Sequence, residues 1–140
     1  MKRGGVFAWT TLAVAAGCNG QAGSYALPSP DLVHFTEAVS PILEASCGSV
    51  ACHGDASRPF ALYAPRQRRA DPGALFDKTP LTSAEVLANY RATLGFLDAS
   101  AALETSLLGK SLGRLGHTAV FEAPGDPDCR ALRAWIGEAP

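Results

Sequence analysis

At 140 residues, with 47% hydrophobic and 18% charged side chains, the chain has the composition of one ordinary globular domain. A formal charge of −1 argues against nucleic acid as a partner, because no excess of basic residues is available to neutralise phosphates.

The first residues have the pattern of an export signal. Lys2 and Arg3 precede an apolar, small-residue run from Gly4 to Ala16, which is shorter than the roughly 20 residues of a membrane-spanning helix. The run ends in Ala15-Ala16-Gly17-Cys18, which is similar to a bacterial lipobox, where cleavage before the cysteine leaves it N-terminal and lipid-modified. Ala15 stands where leucine is the commoner residue, and the alternative is a plain signal peptide ending beside a cysteine. The expected organisation is a lipoprotein signal peptide over 1–17, a Gly-, Ser- and Pro-containing linker over 18–30 and a folded domain over 31–140. Cys18 would anchor the protein in the lipid bilayer, on the periplasmic side of a bacterial membrane, and the domain would face an oxidising compartment.

Leu32, Phe35, Val39, Ile42 and Leu43 recur at spacings of three and four, the stripe of an amphipathic helix, with Asp31 as N-cap. Pro41 interrupts that stripe and predicts a kink, or a restart with Ser40 as cap and Pro41 at the first helical position. The helix delivers Cys47 at its end. Asp55 to Pro80 lacks regular periodicity, and its apolar patch Phe60-Ala61-Leu62-Tyr63 is expected to pack as loop over one face of a site. Arg66, Arg68 and Arg69 are expected to be solvated, with pairing to a cofactor propionate or docking to an acidic partner as the sharper alternative. Thr82-Ser83-Ala84-Glu85 has the spacing of a capping box, and Val86, Leu87, Tyr90 and Leu94 share the face that follows. A short helix is expected over Ser100 to Leu108, with Leu103, Leu107 and Leu108 facing the core, and an extended piece over Thr118 to Phe121. Asp126-Pro127-Asp128 starts a last helix in which Leu132, Trp135 and Ile136 share a face. With no alternating strand run, the fold class is all-α, a small domain with long loops.

The densest chemistry lies in Cys47-Gly48-Ser49-Val50-Ala51-Cys52-His53-Gly54. A c-type haem site has the signature C-x-x-C-H, in which both thiols bond the porphyrin and the histidine binds the iron. Here the spacing is C-x-x-x-x-C-H, with the Cys52-His53 adjacency kept and the loop to Cys47 widened. Two other readings are open: a local Cys47–Cys52 disulfide, or a zinc site using Cys47, Cys52, His53 and either His117 or Cys129. No Ser-His-Asp arrangement, phosphate loop or paired carboxylates argues for an enzyme.

Taken together, Phe35, Val39-Ser40-Pro41-Ile42-Leu43, Cys47, Cys52-His53-Gly54, Ser106-Leu107-Leu108, His117, Leu132 and Trp135-Ile136 resemble the cytochrome c-like domains of exported planctomycete and myxobacterial proteins. The resemblance implies a class I cytochrome c-like fold with crossing N- and C-terminal helices and one covalent haem c. Cys47 and Cys52 would be the thioether links and His53 the proximal ligand. Trp135 and Phe35 would meet where those helices cross.

The sixth coordination position cannot be filled by methionine, since Met1 is the only one and leaves with the signal. The candidates are His117, His34, Lys78, Lys110 or an open position, and His117 lies in a glycine-flanked loop where the distal ligand segment would come. Cys129 remains unassigned, either buried and inert or exposed with a lowered pKa. The expected function is single-electron transfer to redox partner proteins in the periplasm or at the cell surface. The alternatives are a haem sensor or gas-binding module with an open sixth site, and a haem-free structural lipoprotein held by a Cys47–Cys52 disulfide.

Overall fold

The structure, a computed structural model, describes residues 30–97 and 106–137. The signal, Cys18, nearly all of the linker and Leu103 lie outside them. Among the described residues there is no β-strand, only an isolated bridge between Ala64 and Arg68, and the domain is all-α with long loops. No helix in that range is long and apolar enough to cross a membrane.

The chain enters its first helix at Asp31, whose side chain accepts the His34 N–H at 2.7 Å. From there α1 (Leu32–His34), a π-helical turn (Phe35–Val39) and α2 (Ser40–Ser46) form one unbroken helical path. The restart at Pro41 is therefore not seen; the helix runs through this proline. Its ring crowds the carbonyl four residues back and it offers no N–H, and the turn before it widens so that Ser40 N–H reaches Phe35 C=O. Ser40 does not act as a side-chain cap: it lies within the helix, and its hydroxyl donates to Glu44 Oε1 at 2.6 Å.

The widened turn packs against the last helix, α5 (Pro127–Ile136), as the stripes of both helices require. Asp126 caps α5 by accepting the Asp128 N–H at 2.9 Å. Phe35 and Trp135 meet at 5.2 Å between ring centres, and Tyr90 closes on Phe35 edge-on at 5.3 Å. Two polar tips tie the same corner: Trp135 Nε1–H donates to Asp31 C=O at 2.9 Å and the Tyr90 hydroxyl to Pro30 C=O at 2.7 Å. Cys129 is wholly buried in this core, and burial raises its thiol pKa, so it is the inert thiol rather than an activated one.

Helix α3 (Ser83–Leu94) begins with the expected capping box, with Thr82 and Glu85 each holding the other's backbone N–H. Its most buried face, however, is not the apolar one. Glu85, Asn89 and Thr93, spaced four apart, are 2%, 0% and 0% exposed, while Val86, Tyr90 and Leu94 are only partly buried. Glu85 and Asn89 are buried against loop backbone, and the Thr93 hydroxyl bonds Asn89 C=O within the helix. Helix α4 (Ser106–Ser111) runs through Gly109 instead of ending there, and Thr118 to Phe121 is not extended strand: Val120 and Phe121 N–H both bond Ser111 C=O.

Arg69 and Glu85 explain how so irregular a loop is fixed. Their side chains, 3% and 2% exposed, pair at 3.0 Å. Glu85 also accepts the Ala70 N–H at 2.7 Å and the Thr82 N–H at 2.8 Å, while Arg69 donates to the carbonyls of Thr79 and Pro80. Arg69 is thus a buried structural cation, neither solvated nor free for an outside acid. Burial alone would raise the Glu85 carboxyl, but the hydrogen bonds from Arg69, Ala70 and Thr82 outweigh it and hold the pKa at about 2. Because the folded value is depressed below the ordinary 4.5, this stabilisation is complete above about pH 4.5 and is lost as pH falls through about 2. Replacing Glu85 by Gln leaves Arg69 buried without a counter-charge and should lower stability by about 3 kcal/mol at pH 7. In urea unfolding, the gap between wild type and E85Q should shrink as the pH is lowered from 7 to 3.

Candidate functional site

Cys47 closes α2, with its N–H on Leu43 C=O at 2.9 Å, and the chain then turns back on itself. His53 N–H reaches Cys47 C=O at 3.1 Å, while Cys52 and Gly54 N–H both bond Ser49 C=O, at 2.9 and 2.7 Å. The extra residues between the cysteines are therefore folded into a compact, internally bonded turn. Gly54 is required by that closure: a Cβ on it would collide with backbone atoms of Gly48 and Ser49.

His53 is held at three atoms. Besides its N–H, its C=O accepts Leu62 N–H at 2.6 Å and its Nδ1 bonds Phe60 C=O at 2.7 Å. The receiving segment, Phe60 to Tyr63, is itself clamped to α3, since the Asn89 amide accepts Tyr63 N–H at 2.7 Å and donates to Tyr63 C=O at 2.9 Å. The expected role of that apolar patch as loop packed over the site is seen: Phe60 is 7% exposed, with its ring 4.9 Å from His53 and 4.8 Å from Phe96. With Nδ1–H donating to a carbonyl, Nε2 carries the free lone pair. Burial lowers the His53 pKa, the Phe60 carbonyl opposes this, and His117, Arg58 and Lys110 add to the lowering, so the neutral ring is favoured.

His117 comes to the same place from the other end of the domain. Its ring lies 5.8 Å from that of His53, centre to centre, at an interplanar angle of 5°. Its Nδ1 bonds Thr118 C=O at 2.6 Å, which leaves Nε2 as its free ring nitrogen too. Cys47, His53 and His117 line one cavity of about 110 Å³, walled mainly by Pro59, Phe60, Phe96, Leu107 and Val120 and open on one side. Lys110 also lines it, with Nζ 5.7 Å from the Phe96 ring centre.

The cavity does not gather every candidate. Cys52 is exposed and outside its lining, whereas Cys47 is buried, and burial together with the neighbouring Cys52 pushes the Cys47 thiol up to about 11. His34 and Lys78 are exposed and away from it. Arg68 lies 4.2 Å over the Tyr63 ring, and with Arg69 buried against Glu85 neither arginine reaches the cavity lining. Cys47 and Cys52 are free thiols, and among the described residues no group of three His, Cys, Asp or Glu side chains is placed to hold a metal ion unaided.

Two contributions were not anticipated from the sequence. Phe96 and Ser111 line the cavity, and Asn89 fixes the loop whose Phe60 carbonyl orients His53. The signal for the latter was present in the polar spacing Glu85, Asn89, Thr93 along a helix otherwise taken by its apolar residues.

Gly54→Ala should lower stability by about 2 kcal/mol, since the added methyl meets backbone that cannot give way. Gly125→Ala, whose Cβ meets nothing within 4 Å, should be close to neutral, and paired thermal melts check both. No family model matches this chain, and no curated protein or solved structure is found to be similar to it.

Proposed function

We propose that this chain is an exported, lipid-anchored monohaem c-type cytochrome that passes single electrons to redox partner proteins on the periplasmic side of a membrane. The observation that carries the reading is the His53–His117 pair: nearly parallel rings 5.8 Å apart in one apolar cavity, with both Nδ1 atoms bonded to backbone carbonyls. Each ring leaves Nε2 as its free nitrogen, so His53 and His117 are the residues that would hold a bound iron. A porphyrin supplies the remaining four ligands itself, which is why a cluster of three or more protein ligands is not needed.

The residues fit such a group. The walls are aromatic and aliphatic, the fixed neutral His53 offers Nε2, and the Cys47 thiol stands at the same cavity. The cavity, about 110 Å³ and open on one side, is well below the roughly 300 Å³ of a pocket that buries a whole drug-sized ligand, so it would cover only part of a macrocycle. The exposed Cys52 would then hold its outer part. Bound haem supplies a one-electron iron couple, at a lower potential with two histidine ligands than with a histidine–methionine pair. The chain's own contribution would be orientation of two imidazoles, apolar walls from Phe60, Phe96 and Leu107, and covalent retention through two thiols.

Expression with a cytochrome c maturation system should give a band that stains for haem peroxidase activity on a denaturing gel. Removing both thiols, C47A with C52A, should abolish the stain. His117→Ala should keep the stain but change a low-spin oxidised spectrum to high-spin. A correctly exported, colourless wild-type protein would contradict the haem reading and leave the structural lipoprotein in its place.

A further inference from the structure

The chain enters the domain at a fixed point. Asp31 caps α1, its C=O accepts Trp135 Nε1–H at 2.9 Å, and the Tyr90 hydroxyl holds Pro30 C=O at 2.7 Å. Cys18, the lipid-bearing residue of the proposed lipoprotein, lies only twelve residues before Pro30.

Twelve residues span at most about 40 Å when fully extended. A domain of about 100 residues has a radius of gyration of about 13 Å, so it is about 34 Å across, and a path over its surface to the far side takes about 50 Å. The far side is therefore beyond the tether's reach, and the surface around Pro30 is the part that an anchor at Cys18 presents to the bilayer.

That surface carries an apolar groove. Leu32 and Thr36, on the first helical path, line it together with Leu81, Ser83, Val86 and Leu87 at the start of α3, and it is open, with a volume of about 330 Å³. No charged side chain lines it; Leu32 is 40% exposed, and Val33, one helical turn before Thr36, is 62% exposed. Apolar side chains placed in this way gain by leaving water, and a lipid interface accepts them without the cost of desolvating a charge. None of the groove's residues lines the cavity of His53 and His117.

We propose that this groove is the face on which the domain rests against the bilayer that holds its anchor, with Leu32 and Val33 set into the apolar edge of the lipid headgroup region. The inference rests on the lipoprotein part of the reading above and does not use the haem. It adds an orientation to the anchor, and the contact takes up no residue of the cavity.

Bromolipid quenching tests it on the lipidated mature chain in phosphatidylcholine vesicles. Once the signal and its Trp9 are removed, Trp135 is the only tryptophan, and at 3% exposed it serves as background. Val33→Trp should add emission that falls about twofold when brominated acyl chains replace ordinary ones. Leu115→Trp, in the loop beside His117 and 67% exposed, should lose less than about a tenth. Val33→Trp emission that bromine leaves unchanged, or that falls no more than that of Leu115→Trp, overturns the proposal and leaves the lipid anchor standing. So does Val33→Trp emission that shifts to the blue with protein concentration in anchor-free chain, because a second copy then covers the groove. A mature chain whose Cys18 carries no lipid by mass spectrometry overturns the anchor and the orientation together.

Discussion

The site depends on a single hydrogen bond, from His53 Nδ1 to the Phe60 carbonyl at 2.7 Å. An imidazole can serve as a directional ligand only if its ring is turned and its tautomer chosen, and one backbone carbonyl does both. Phe60, however, lies in a segment with no helix or strand to hold it. The fold meets this constraint through the polar face of α3, where Asn89 pairs with both backbone groups of Tyr63 and Glu85 gathers Arg69, Ala70 and Thr82. A loop fixed by side chains in this way acts as a wall of the site even though it lacks a sheet partner.

This arrangement gives the buried ion pair a role beyond stability. A buried carboxylate–guanidinium pair adds little net stability compared with apolar packing, yet is costly to break. What Arg69 and Glu85 contribute here is register: they fix where the loop lies on α3, and hence where the Phe60 carbonyl stands. The aromatic corner of Phe35, Tyr90 and Trp135 does the corresponding work elsewhere, joining α3 and α5 to Pro30, Asp31 and the helix that follows them. Between these two fixed points the cavity is formed by what is left of the core, so its walls are apolar without being closed.

Much of this was legible in the sequence, where a local rule met no competitor. The caps at Asp31, Thr82 and Asp126 follow from short-range chemistry, and Phe35 and Trp135 each lie on an apolar stripe that helical periodicity shows. Pro41 was expected to kink or restart its helix because the rule for proline is local, whereas the observed widened turn keeps the buried stripe of Phe35 and Val39 continuous with Leu43. Glu85, Asn89 and Thr93 were hidden for a related reason. A hydrophobic pattern finds faces that pack on apolar neighbours and is blind to a polar face that satisfies loop backbone. His53 and His117 were both named from sequence, but their approach depends on loops whose paths no periodicity encodes, and the splitting of Cys47 into the cavity and Cys52 out of it is likewise tertiary.

The central claim is that His53 and His117 share one iron with their rings nearly parallel, at 5°. Electron paramagnetic resonance of the oxidised, purified protein tests it most directly, because a low-spin ferric centre reports both the number of imidazole ligands and their mutual orientation. The account predicts a rhombic low-spin signal of the kind given by two parallel imidazoles. A high-spin signal from wild-type protein, or a sample with no iron signal at all, would contradict it.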